Sequence, residues 1–268
     1  MGCKMYLPTD RLKPYIKHFW ALNGSEAGSQ SLRTMADGCP GIIFQHADNG
    51  SFYQQEKKLP DLFLYGQSTT FGELALHGSF NSIGIYFYPG ALKAIFGISA
   101  DELTDSCLDL NNEAQKDGFS LSQQLSGSKS DIEKIEFISA YLCFKLQPRK
   151  NGANNNIEYA ISKIMQSGGS IALKQLQGDL QFSERSFERK FKEYVGISPK
   201  LFARIARFQS SLDLIRKKDY TKFSDIAFEN EYADQSHFIR SFKEFSGFSP
   251  SQYLLNSTEL AENFSQLK

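Results

Sequence analysis

Ser183 to Pro199 reads SERSFERKFKEYVGISP, and 51 residues later Asp234 to Pro250 reads DQSHFIRSFKEFSGFSP. Eight of the 17 aligned positions are identical, pairing Phe187 with Phe238, Arg189 with Arg240, Phe191 with Phe242, Lys192 with Lys243, Glu193 with Glu244, Gly196 with Gly247, Ser198 with Ser249 and Pro199 with Pro250. In each copy Ser183 or Asp234 is a good helix N-cap, the two phenylalanines fall at i and i+4 on one face, and Gly196 or Gly247 supplies the stop. The Ser-Pro that follows opens a further helix with proline at its tolerated first position. The opposite face carries Arg185, Glu188, Arg189 and Lys192 in the first copy and Ser236, Ile239, Arg240 and Lys243 in the second.

A shorter helix precedes each copy. Ile171 to Leu180 carries Ile171, Leu173, Leu176 and Leu180, and Thr221 to Glu231 carries Phe223, Ile226, Ala227 and Phe228. Leu176 aligns with Ile226 at an offset of 50, so the second turn is one residue longer than the first. The pattern predicts two helix-turn-helix units joined by a long helix from Pro199 to about Lys217.

The run SDIAFENEYADQSHFIRSFKEFSGFSPSQY resembles the second half of the DNA-binding domain of the AraC/XylS family of bacterial transcription regulators, and the first copy sits where that family has its other helix-turn-helix. The likeness covers about 100 residues, from Asn156 to Leu255. Two positions depart from the family pattern: Gln177 stands where a small residue is usual, and Glu231 where the turn glycine is usual. Matching positions to the family implies that Arg185, Glu188 and Arg189, then Gln235, Ser236, His237 and Arg240, reach base edges, with Lys192, Lys243 and Lys200 nearer phosphates. The side chains suit that work, since Arg bonds guanine O6 and N7 together, Gln reads adenine, and Glu accepts from the cytosine amino group. The resemblance implies double-stranded DNA and RNA polymerase as partners, and transcription regulation as the role, by activation or by repression.

Charge alone does not suggest nucleic acid. The 268 residues have a formal net charge of zero, with 15 Lys+Arg against 12 Asp+Glu over 151–256 and 14 against 16 over 1–150. The four cysteines, Cys3, Cys39, Cys107 and Cys143, are scattered without metal-ligand spacing, which points to a reducing cytoplasm. Met1-Gly2-Cys3 does not extend into a lipidation pattern, and no run approaches the ~18 apolar residues of a membrane span. His18, His46 and His77 stand apart, with only Asp48 and Glu73 nearby, so neither a metal nor a cofactor is expected.

The reading is α+β: a β-rich N-terminal domain, sandwich or barrel-like, and an all-α C-terminal domain holding two helix-turn-helix motifs. Residues 1–115 form the β-rich regulatory domain, with apolar or alternating runs at His18–Leu22, Gly41–Gln45, Leu62–Tyr65, Glu73–His77 and Ser82–Tyr88. Lys13 to Phe19 reads as a short helix leading into the first strand, and Ala91–Phe96 as a brief helix ended by Gly97. The pieces PYIKHFW, ADGCPGIIF and IGIYFYPGAL are similar to a module often fused to AraC-type domains, which implies a small-molecule effector. Trp20, Phe44, Tyr65, Tyr86 and Tyr88 either line an apolar pocket or fill the core.

Residues 116–147 form a helical segment whose stripe of Ile132, Ile135, Ile138, Leu142 and Leu146 pairs two subunits or packs on the β-rich domain. Residues 148–156 read as linker, 157–256 as the DNA-binding domain and 257–268 as a tail. The leading function is sequence-specific transcription regulation without enzyme activity. The alternative is a DNA-associated enzyme of the alkylation-repair kind, with Cys39 in the DGCPG turn as its reactive thiol.

Overall fold

The computed structural model describes residues 2–24, 29–46, 50–146 and 155–256. The expected linker, apart from Asn155 and Asn156, and the 257–268 tail lie outside these residues.

The N-terminal region contains ten strands: β1 Gly2–Tyr6, β2 Ile16–Gly24, β3 Ser29–Thr34, β4 Gly41–Gln45, β5 Ser51–Gln54, β6 Lys57–Lys58, β7 Leu62–Tyr65, β8 Gly72–His77, β9 Phe80–Phe87 and β10 Cys107–Asp109. They form two antiparallel sheets, ordered β1-β2-β9-β4-β7-β10 and β3-β8-β5-β6. The larger sheet is covered on both faces, which is why its strands read as continuous apolar runs. Ile42, Phe44, Leu62, Leu64, Ile83 and Ile85 pack toward the helices, while Trp20, Leu22, Ile43, Phe63 and Tyr86 face the smaller sheet. Trp20 lies flat against Gly84, where a Cβ would fall 1.9 Å from the indole ring.

Four helices, α1 Ala91–Phe96, α2 Leu110–Lys116, α3 Leu121–Gly127 and α4 Asp131–Lys145, follow β9, with a 3-10 turn at Ala100–Leu103 after α1 and β10 before α2. On α4, Ile138, Tyr141 and Leu142 are buried in the N-terminal core, whereas Ile132 and Phe144 are 59% and 39% exposed. One side of the expected stripe therefore packs internally and part of the rest stays open.

The expected helix at Lys13–Phe19 is not formed. Asp10 to Tyr15 makes a turn closed by the Leu12 and Lys13 N–H groups on the Thr9 carbonyl, and β2 starts at Ile16. The strand prevails because β2 is paired along both edges, with β1 and β9. A run of ladder hydrogen bonds outweighs a helix of only seven residues, too short to be stable by itself.

The C-terminal region is all helix: α5 Asn155–Gln166, α6 Leu173–Asp179, α7 Glu184–Val195, α8 Pro199–Lys217, α9 Phe223–Glu229, α10 Gln235–Ser246 and α11 Pro250–Asn256. The two helix-turn-helix units, α6-α7 and α9-α10, have matching interiors, with Leu176 and Ile226 both buried. The second turn is one residue longer, as the sequence offset predicts. Their turns close alike: Gln181 N–H bonds the Gly178 carbonyl and Phe182 N–H that of Gln177, while Glu231 N–H bonds Phe228 and Tyr232 N–H bonds Ala227. Gln177 is accommodated because its side-chain amide turns into the loop and donates to the Phe182 carbonyl at 3.0 Å.

The two regions dock closely. Met35 and Ala36 of the β3–β4 segment belong to the C-terminal core. Ala36 N–H donates to the Phe245 carbonyl at 3.1 Å, and Gln209 Nε2 donates to the Ala36 carbonyl at 2.7 Å. Gly38, at φ 72°, lets the same segment approach Phe202, to which a Cβ would come within 2.9 Å. Thr104 Oγ1 donates to the Gly196 carbonyl at 2.6 Å, and Lys93 pairs with Glu193 at 2.9 Å.

Glu231 takes the left-handed conformation that the family's glycine would adopt, at φ 54°, and Gln181 does the same at φ 56°. A side chain at such a position costs about 1–2 kcal/mol, partly offset by the greater unfolded-state freedom of glycine. Glu231→Gly and Gln181→Gly are each expected to stabilise the protein by about 0.5–1 kcal/mol, read as a rise in the urea midpoint at unchanged slope. A fall in the midpoint would show that the two turns are not held in this conformation.

Candidate nucleic-acid interface and inter-sheet cavity

Each of α7 and α10 is fixed at both ends. Ser183 Oγ accepts from the Ser186 N–H at 3.3 Å and Asp234 Oδ1 from the His237 N–H at 2.7 Å. Gly196 and Gly247 close the other ends in left-handed conformations, their N–H groups on the Lys192 and Lys243 carbonyls. Rotation about each axis is set by the buried pairs Phe187/Phe191 and Phe238/Phe242.

With those rings inside, Arg185, Glu188, Arg189 and Lys192 are exposed on α7, and Gln235, Ser236, Arg240 and Lys243 on α10. None of these arginines and lysines makes an ion pair among the described residues. His237 differs: it is half-buried, its ring edge-on to Tyr232 at 5.4 Å. Lys200, at the start of α8, is exposed. Other cations nearby are engaged. Arg204 pairs with Glu244, Arg207 Nη2 donates to the Gly169 carbonyl at 3.0 Å, and Lys190 lies over the Phe182 ring at 5.0 Å. The structure thus leaves unneutralised positive charge on the two repeated helices, where phosphates and guanine edges are the matching chemistry.

The second feature is a cavity of about 690 Å³ between the two sheets. Of the aromatic residues considered from sequence, Tyr65 and Tyr86 line it, Trp20 and Phe44 lie in the core, and Tyr88 is exposed outside it, beneath the Lys17 ammonium. Sequence reading singled out Cys39 in the Asp37–Gly41 turn but gave no role to Asp37, which lines the cavity beside it. Asp37 Oδ1 accepts from the Cys39 N–H at 2.9 Å and a hydrogen bond from Tyr86. Lys17, at an irregularity in the β2–β9 register, donates to Cys39 Sγ at 3.0 Å. Burial pushes the Cys39 thiol up to about 11, against the pull of Lys17, so it is protonated at neutral pH. Burial likewise raises the pKa of the Asp37 carboxyl.

Among the described residues no His, Cys, Asp and Glu side chains group as a metal site, and no helix is long and apolar enough to cross a membrane.

Residues 4–109 match a domain of unknown function, DUF6597, and residues 178–256 match a helix-turn-helix domain. An uncharacterized HTH-type transcriptional regulator of Haemophilus influenzae is 27% identical over 138 residues, a match that spans 48% of this chain and 46% of that protein. The chain is also similar to ToxT from Vibrio cholerae, at 15% identity and a TM-score of 0.45 over 91% of this chain and 98% of that one. A wild-type ToxT bound to unsaturated fatty acid is similar at 12% identity and a TM-score of 0.44, over 88% and 93%. The capped helices α7 and α10 and the second unit, α9-α10, lie within the matched residues, and the C-terminal region therefore holds a helix-turn-helix domain.

Proposed function

We propose that the chain regulates transcription by reading two adjacent major grooves of double-stranded DNA, one with α7 and one with α10, under control of a small molecule bound in the inter-sheet cavity. The observation that carries the reading is the pair of repeated helices whose outward arginines and lysines form no ion pair among the described residues, Arg240 Nε donating only to the Ser236 carbonyl of its own helix. The 19 residues of α8 span about 28 Å at 1.5 Å per residue. That length is comparable to the ~34 Å helical repeat of B-DNA, a separation suited to successive grooves on one face. Arg185, Glu188 and Arg189, then Gln235, Ser236 and Arg240, are the proposed base readers, with Lys192, Lys243 and Lys200 at phosphates. His237, half-buried against Tyr232, is better suited to bracing α10 than to reading a base.

Effector control is supported by a shared segment. The residues that leave β3 toward Asp37 in the cavity are also those hydrogen-bonded to Phe245 and Gln209 in the DNA-binding region. A ligand that favours one arrangement of this segment therefore biases how the two regions dock. RNA polymerase is the proposed downstream partner. The enzyme alternative loses its footing, because a thiol 3% exposed and protonated at neutral pH is a poor nucleophile.

Losing one bidentate base contact costs about 1–3 kcal/mol and relaxes preference at that position alone. Arg189→Ala is expected to relax one operator segment and Arg240→Ala another, about ten base pairs away. Lys243→Ala should weaken all sequences alike and flatten the salt dependence. Selection from a randomised site with each variant checks this, and unchanged preferences in both arginine variants would remove α7 and α10 as readers.

We further propose a homodimer paired through the open side of α4. Ile132→Asp with Phe144→Asp should give monomers with wild-type folding and weaker binding to paired sites. Sedimentation at tens of micromolar decides it, and a monomeric wild type rules the dimer out.

A further inference from the structure

The charged side chains lining the inter-sheet cavity are unbalanced: Asp37, Glu73 and Asp105 against Arg33. Arg33 is already committed. It pairs with Glu73, and its guanidinium stacks on Phe248 at 4.0 Å and on Phe71 at 5.2 Å, so its charge is spent at the junction with the C-terminal region. Asp105 is held at the rim by the Thr69 N–H and hydroxyl, both at 2.7 Å.

Asp37 is the group left over. It receives the Cys39 N–H and the Tyr86 hydroxyl but has no cation within ion-pair distance among the described residues. Lys17 favours its ionised form from behind, but the ammonium lies on Cys39 and does not line the cavity. Burial outweighs that help, and the carboxyl stays above its ordinary pKa. A desolvated carboxylate facing a cleft is stabilised by whatever brings positive charge and N–H donors to it. Next to it the walls are apolar, made by Ile43, Leu59, Phe63 and Leu74. The Tyr65 and Tyr86 rings add electron-rich faces that attract cations.

We propose that this cavity binds an amphipathic amine, its ammonium seated on Asp37 and its hydrocarbon or aromatic body against Leu59, Phe63 and Leu74. The proposal rests on the effector reading above and assigns the chemical class of the effector. An anionic ligand of the same shape meets three carboxylates and one already paired arginine, so a fatty acid or aryl carboxylate is disfavoured. A neutral alcohol can donate to Asp37 but leaves its charge unmatched.

The test uses the full-length protein and six probes in isothermal titration: octylamine, 1-octanol and octanoate, and phenethylamine, 2-phenylethanol and phenylacetate. At least one amine should bind ten-fold or more tightly than its own alcohol and carboxylate. Asp37→Asn should reduce that amine's affinity at least ten-fold, while Asp105→Asn at the rim should change it less than three-fold. Should Asp37→Asn melt early in a thermal scan, Asp37→Ser, which removes the charge but keeps an oxygen able to accept the Cys39 N–H, carries the same arm and should weaken the amine at least ten-fold. Equal or tighter binding of an alcohol or carboxylate overturns the amine class while leaving an effector cavity standing. Undiminished amine binding in Asp37→Asn or in Asp37→Ser moves the site elsewhere and overturns the assignment. No binding of any probe to the wild type overturns both the class and the effector reading.

Discussion

The rotation of α7 and α10 depends on aromatic rings locked into one long helix. Phe202 of α8 packs on Phe191 of α7 with centroids 5.6 Å apart, and Phe208 of α8 packs on Phe242 and Phe245 of α10 at 5.2 and 5.6 Å. Because side chains on a helix are spaced by about 100° per residue, fixing one buried phenylalanine fixes the heading of every outward residue. The free cations on α7 and α10 are exposed as a consequence of what lies inside, and truncating a buried ring would misdirect them and leave a cavity costing about 3–5 kcal/mol.

The same logic explains what was legible beforehand. The helical half was readable because its information is local: caps, i/i+4 phenylalanines and terminal glycines lie within single helices, and α8 runs from Pro199 to Lys217 as expected. The β-rich half was readable where strands are apolar throughout, as at Gly41–Gln45 and Leu62–Tyr65, or alternate along the chain, as at Glu73–His77 in β8. β6 has two residues and β10 three, and such strands exist because a neighbour is there to pair with. Ile16 and Phe19 look helical by spacing, but the edge pairings that make them strand are remote in sequence. Asp37 was hidden for a related reason: its residue type suits any turn, and only the approach of β7 and β9 turns it into a cavity wall.

The junction between the halves is close but incompletely satisfied. Gln67 is fully buried beside Gly38 and Gly196, and neither polar atom of its side-chain amide has a hydrogen-bond partner among the described residues. An unsatisfied buried polar group costs about 1–3 kcal/mol, so the docked arrangement is less favourable than its apolar packing alone implies.

The two helix-turn-helix units are arranged in tandem, not as mirror halves, and they differ where it matters for contact. The first offers Arg185 and Glu188 where the second offers Ser236 and Ile239, and its turn is one residue shorter. A single chain on DNA therefore has a head and a tail. On the proposed docking its binding site has direction, and inverting that site within a promoter presents the β-rich half to the opposite side, so the orientation of the site, as well as its sequence, carries regulatory meaning.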